Sequence, residues 1–117
     1  MPSTLLDARM QACVEVCAEC EQSCENCNYQ CCAGSAEMTE CGRMCLDCAI
    51  ICRMCVVLMS RGSAFSAKIC ELCAEICEQC AEMCEQCASA NGCSTCEPCA
   101  ATCRRCVEEC RRFVAAA

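Results

Sequence analysis

Residues 13–27 read Cys-Val-Glu-Val-Cys-Ala-Glu-Cys-Glu-Gln-Ser-Cys-Glu-Asn-Cys, with cysteines at 13, 17, 20, 24 and 27. Steps that alternate between four and three place every one of these thiols on one face of an α-helix. That face is the a/d seam of a heptad, where a helical bundle ordinarily keeps Leu, Ile or Val. From Cys13, Cys17, Cys20, Cys24 and Cys27 the alternation continues to Cys31, and it returns three more times along the chain. It runs through Cys41, Cys45, Cys48, Cys52 and Cys55, then through Cys70, Cys73, Cys77, Cys80, Cys84 and Cys87. The last ladder is Cys96, Cys99, Cys103, Cys106 and Cys110, so that of 24 cysteines only Cys32 and Cys93 fall outside the four ladders.

Turn signals separate the ladders and predict four helices, over about 4–32, 36–60, 63–89 and 95–114. Thr4 with Asp7 three residues on resembles a capping box at the first start, and Gly34-Ser35 ends that helix. Gly62 is a natural C-terminal residue for the second helix, and Ser63 is placed to cap the third. Asn91-Gly92 supplies the next turn, and Ser94 with Glu97 reads as a capping box for the fourth helix. Pro98 is tolerated in its first turn, where backbone N–H groups lack helical partners anyway. Connections this short force antiparallel neighbours. The predicted fold is therefore all-α: an antiparallel up-down-up-down four-helix bundle with a cysteine-lined core, a single domain over 1–117.

So many cysteines in a short chain ordinarily indicate a secreted, disulfide-stapled scaffold. Four Gly and two Pro are too few for a loop-rich scaffold, and disulfide frameworks do not require helical register. No basic-plus-apolar signal segment precedes Cys13, which leads to the expectation of a cytoplasmic, reducing compartment where clustered thiols hold metal. The most apolar stretch, 41–59, contains Arg43, Asp47 and Arg53, so no membrane span is expected. A net charge of -7 argues against nucleic acid or an anionic membrane as a partner.

Extended past their thiols, the ladders distinguish two ends. Leu6, Met10, Met59, Phe65 and Phe113 are expected together at one end, as an apolar plug. The other end offers Cys31, Cys32, Met38, Cys87 and Cys93, with Met44 nearby, and is rich in soft sulfur ligands instead.

Thiolates at such spacing can share metal ions, and soft sulfur selects Cu(I), zinc or iron–sulfur clusters. With no histidine, mixed Cys/His zinc sites are excluded. Zinc held by four thiolates leaves a buried dianion at every site, a heavy desolvation cost. Iron–sulfur clusters raise the same cost and need more room than a bundle core offers. Cu(I) with one thiolate per ion, each sulfur bridging two metals, exchanges a proton for a cation and leaves buried charge unchanged. The expected cargo is Cu(I), many ions per chain, on the order of one per cysteine. The alternative is an Fe–S or Zn-thiolate protein, an electron carrier or a metallothionein-like buffer. Cys93-x-x-Cys96-x-x-Cys99-x-x-x-Cys103 matches a ferredoxin run except that Arg104 stands where proline is expected. The C-x-x-C pairs lack the βαβ context of a thioredoxin-like enzyme. Helix 2 is apolar nearly all round through Leu46, Ile50, Ile51, Met54, Val56, Val57 and Leu58, which points to self-association.

Across essentially its whole length the chain resembles the cytosolic copper storage proteins, a family of Cys-lined four-helix bundles. The resemblance is most specific in Phe65 followed by Ile69-Cys70-Glu71-Leu72-Cys73-Ala74-Glu75-Ile76-Cys77, and in the ladder from Cys96 to Cys110. It implies Cu(I) stored along the bore with the seam cysteines as ligands, a homotetramer, no catalysis, and copper donors or acceptors as partners. Cytosolic members often carry histidines around the open end. Here Met38, Met44, Cys32 and Cys93 occupy that region, and Cys45 and Cys55 extend the usual complement of helix 2.

Overall fold

The Asp7 carboxylate accepts a hydrogen bond from the Met10 N–H at 2.9 Å and so caps α1 (Ala8–Cys27). The computed structural model describes residues 7–117, so the expected start at Thr4 and the place of Leu6 in the plug lie outside the described residues. Asp7 is thus the cap itself and not the third residue of a capping box. Beyond Cys27 the chain stays helical but widens into a π-turn over Asn28–Cys32, closed by Ala33 N–H donating to the Asn28 carbonyl at 2.7 Å. A short 3-10 turn, Ala36–Met38, then leads into α2 (Thr39–Ser60), and Gly62 follows with φ +70, a left-handed geometry open to glycine.

Two expected caps differ. Ser63 does not cap a helix from inside its first turn; it sets up the turn before α3 (Ser66–Asn91). Its hydroxyl accepts the Phe65 N–H at 3.1 Å, and its carbonyl accepts the Ser66 hydroxyl at 2.8 Å. At the other end Asn91 belongs to α3, and Gly92, with φ +64, turns the chain. α4 (Cys96–Ala116) begins behind Thr95 without a side-chain cap, so Ser94 and Glu97 form no capping box. The Thr95 hydroxyl points inward and donates to Cys27 Sγ at 3.6 Å, which draws this turn toward the bore.

α1 packs on α2 and α4, and α3 packs on the same two, so the four helices form a closed square with antiparallel neighbours. The body measures 49 × 21 × 19 Å, a rod with one axial core. Small residues at Ala49, Ala74, Ala81 and Ala100 are buried beside the seams and let the helices approach closely. Outside, Arg53–Glu21, Arg104–Glu85, Arg105–Glu19 and Arg111–Glu78 pair adjacent helices. Each such exposed pair contributes little singly, on the order of 0–1 kcal/mol, and their geometry fits the register the seams impose. Among the described residues, no helix is long and apolar enough to cross a membrane.

Candidate metal centre

Because each ladder occupies the a/d face of its helix, the core of the rod is sulfur. Cys13, Cys17, Cys20, Cys24 and Cys27 of α1 are fully buried, as are Cys45, Cys48, Cys52 and Cys55 of α2. Cys70, Cys73, Cys77, Cys80 and Cys84 of α3 and Cys96, Cys103, Cys106 and Cys110 of α4 match them, with Cys41 and Cys99 scarcely more exposed. Ser66 is the one buried side chain carrying a polar oxygen or nitrogen among the described residues.

Thiols from different helices face each other across this bore. Cys48 and Cys77 lie 3.4 Å apart, Cys20 and Cys103 3.7 Å, Cys24 and Cys99 3.7 Å, and Cys13 and Cys70 4.0 Å. Two sulfurs that share one metal at a bond of about 2.3 Å stand roughly 3.8–4.0 Å apart in tetrahedral or trigonal geometry. The lattice therefore already has the spacing of a metal–thiolate array, with helix backbones in place.

Four-sulfur groups recur along the axis. Cys27, Cys45, Cys84 and Cys99 form one, and Cys20, Cys52, Cys77 and Cys106 another, each with one thiol from every helix. Cys20, Cys24, Cys48 and Cys103 form a third, Cys17, Cys73, Cys106 and Cys110 a fourth, and Cys13, Cys70 and Cys110 a three-sulfur group. Within each group all sulfurs lie within 4.8 Å of one another. Cys20, Cys106 and Cys110 each belong to two groups, so the groups overlap. An ion that needs four thiolates for itself cannot fill overlapping groups; an ion whose thiolates are shared can.

Proton sharing among these thiols splits their acidities. Hydrogen bonds with Cys103 foremost hold Cys20 below the ordinary thiol range, and those with Cys106 do the same for Cys73. Their neighbours are pushed up: Cys17 chiefly by its hydrogen bond to Cys106, and Cys24 by its bond to Cys103. Cys110 is held at about 7, with its contact to Cys106 the largest cause. Toward the open end burial dominates, raising Cys32 and Cys96 and pushing Cys87 up to about 11.

The two ends differ as the ladders imply, with corrections. Met59 is fully buried and Met10 and Phe113 pack on the core, but Phe65 is 65% exposed and plugs nothing. It sits before the first residue of α3, where the chain is still turning, and so never enters the seam. At the open end the π-turn adds one residue to the α1 repeat. The seam passes from Cys27 to Cys32, which is buried, while Cys31 is rotated off the bore axis. Cys31 and Cys93 are joined as a disulfide with Cα atoms 6.3 Å apart, so neither is the free thiol expected there. The π-turn and the α3–α4 connection converge at this end and bring the pair within disulfide reach. The other 22 cysteines are free.

Met38 lies buried at the open end, its Sδ accepting the Asn91 side-chain N–H at 3.2 Å. Met44 does not join it. One residue before Cys45, it is rotated off the seam and lines an outer groove between α2 and α3 with Ile50, Ile51 and Ile76. The ferredoxin-like run is pulled apart in the same way: Cys93 lies in a connection, while Cys96, Cys99 and Cys103 climb α4 and meet Cys27, Cys24 and Cys20. These four cannot wrap one cluster. The register shift at Cys31 and the sulfur contact of Met59 escaped the sequence reading. The adjacent Cys31-Cys32 pair was the one signal for the shift.

The profile of the copper storage protein family matches residues 6–115 of the chain. A Nitrosospira multiformis protein is 37% identical over 96% of this chain and 100% of its own, with a TM-score of 0.83. The Cu(I)-bound copper storage protein Csp3 of Bacillus subtilis is 34% identical over 91% and 98%, with a TM-score of 0.82. A cytosolic copper storage protein from Streptomyces lividans, solved with five coppers, is 29% identical over 92% of each chain, with a TM-score of 0.83. No curated protein sequence matches the chain.

Proposed function

The chain belongs to the copper storage protein family, and on that premise we propose that it holds Cu(I) along its bore as a high-capacity store. The observation that carries this reading is the overlap of the four-sulfur groups. Sharing of Cys20, Cys106 and Cys110 suits one thiolate per ion with bridging sulfurs, and suits neither closed Zn-tetrathiolate sites nor an Fe–S cluster. Charge agrees, because replacing each thiol proton with Cu(I) keeps the core neutral, whereas tetrathiolate zinc would bury a dianion at each site.

The ligands are the 22 free cysteines, with Cys31 and Cys93 joining them on reduction. Met38 adds a buried thioether at the open end, the side from which ions enter in the absence of histidine. The protein works by uptake and release, without catalysis, in the cytosol like its Streptomyces lividans relative. Its copies associate, as the resemblance to a tetrameric family implies. The stripe of Leu46, Ile50, Met54 and Val57 on α2, continued by Leu72 of α3, is exposed and apolar enough to support that association.

Anaerobic titration of the reduced protein with Cu(I) tests the storage reading. Uptake on the order of one ion per thiol is expected. Saturation after a few ions, or preferential uptake of zinc, contradicts it.

A further inference from the structure

The ladders stop at the closed end, yet sulfur does not. Met59 occupies the next a/d position after Cys55 and is the largest fully buried side chain among the described residues. Its Sδ lies 3.3 Å from Cys70 Sγ, which donates its S–H to it. Cys70 in turn faces Cys13 at 4.0 Å, and Cys13 faces Cys110 at 3.7 Å, so the thioether abuts the terminal three-sulfur group. Of the neighbouring cap residues, the Ser66 hydroxyl is turned to the Ser63 carbonyl, Phe113 is an aromatic ring, and Met10, a second thioether, is only partly buried where it packs on the core, whereas Met59 is fully buried against the Cys70 thiol.

We propose that Met59 is a Cu(I) ligand, and that Met59, Cys70, Cys13 and Cys110 form the terminal copper site at the closed end of the bore. The proposal rests on the storage reading and names one site within it. Every thiol in mid-bore has further thiols on both sides along the axis to complete a metal's coordination. Those in the last layer have them on one side only. A thioether supplies the missing donor as a non-bridging, neutral ligand, so the end site gains a bond without gaining charge. The exchange balances: the Cys70 thiol loses its proton to solvent, Cu(I) takes the place of that proton between Cys70 Sγ and Met59 Sδ, and no electron moves. Leucine would plug the end as well and could not bind. The side chain at this position therefore separates plugging from ligation.

The test uses protein carrying selenomethionine at its seven methionines, loaded anaerobically with Cu(I) and measured by selenium-edge X-ray absorption. Loaded wild type should show copper next to selenium, a feature missing from the metal-free protein. Met59→Leu, a volume-conserving change, should keep the helical circular dichroism and lose that contribution or at least half of it. The converse variant, Met10→Leu with Met38→Leu, removes the other thioethers at the two ends, keeps Met59 and should retain a copper neighbour, which secures a reading should Met59→Leu fail to fold. A selenium spectrum that Met59→Leu leaves unchanged, or that Met10→Leu with Met38→Leu strips of copper entirely, overturns the Met59 site while leaving storage intact. A protein that takes up no Cu(I) overturns the storage reading and this site together.

Discussion

Replacing Cys20, Cys24, Cys48 and Cys103 together by serine removes one complete four-sulfur group from mid-bore. If every thiolate is shared between ions at one ion per thiol, capacity falls by about four ions. If instead each ion held four thiolates of its own, the 24 cysteines would hold about six ions at most, and this variant would lose about one. The two accounts thus differ severalfold for one perturbation. Serine hydroxyls placed together can bond one another, as the thiols do now between Cys20 and Cys48 at 3.9 Å and Cys24 and Cys103 at 3.9 Å. Each replacement should then cost about 1 kcal/mol, or roughly 4 kcal/mol in all, within the 5–15 kcal/mol typical of folded domains. Circular dichroism checks that the metal-free variant is still helical, and the double variant Cys20→Ser with Cys48→Ser, expected to lose about two ions, guards against a loss of fold. Titration with Cu(I) against a competing chelator reads the capacity. A loss of one ion, with the helices intact, refutes the shared-thiolate lattice.

Most bore thiols, among them Cys17, Cys24, Cys52 and Cys77, are raised by their neighbours and so are protonated at neutral pH. Loading should therefore release protons, but clearly fewer than one per ion, because Cys20, Cys41, Cys48, Cys73, Cys80, Cys99 and Cys110 are held low, and a pH-stat counts them. The sign follows: lowering the pH restores the competing proton and weakens binding, by up to about tenfold per pH unit for each ion that displaces one proton. Met38→Ala should slow copper loading several-fold at nearly unchanged capacity, whereas Met44→Ala, on the outer groove, should leave stopped-flow loading rates as they are. Ile50→Glu, placing a charge at a position 57% exposed in the isolated chain, should leave that chain folded and shift light-scattering mass from oligomer to monomer. An unchanged mass removes the α2 stripe from the interface.

The bundle and its sulfur lining were legible in the sequence because a/d periodicity is a direct statement about which face is buried. Cys13 through Cys27 or Cys96 through Cys110 leave no other face to choose. Helix starts were less legible. Ser63 and Ser94 are good caps in isolation, but Phe65 and Thr95 stand before the first helical residues, and neither helix start has a side-chain cap. The shift from Cys31 to Cys32 was hidden because a π-turn changes register without any breaking residue. The neighbouring helix accommodates it: Gly42 leaves room for Asn28, whose Oδ1 would stand 2.8 Å from a Cβ there. Met44 failed as an end residue for a simpler reason. Sequence distance from Cys41 says how far along α2 it lies, and only its rotation off the seam says that it faces out.

The central claim is that copper occupies the bore as a continuous thiolate-bridged column. An anomalous-difference map at the copper edge, from crystals of the reduced and fully loaded protein, tests it most directly. The account predicts a file of ions between the two ends, each bonded to thiolates of the ladders and the last beside Cys13, Cys70 and Cys110. A few isolated ions confined to the open end or to the outer surface, with the Cys20, Cys48, Cys77 and Cys106 region unoccupied, would contradict it.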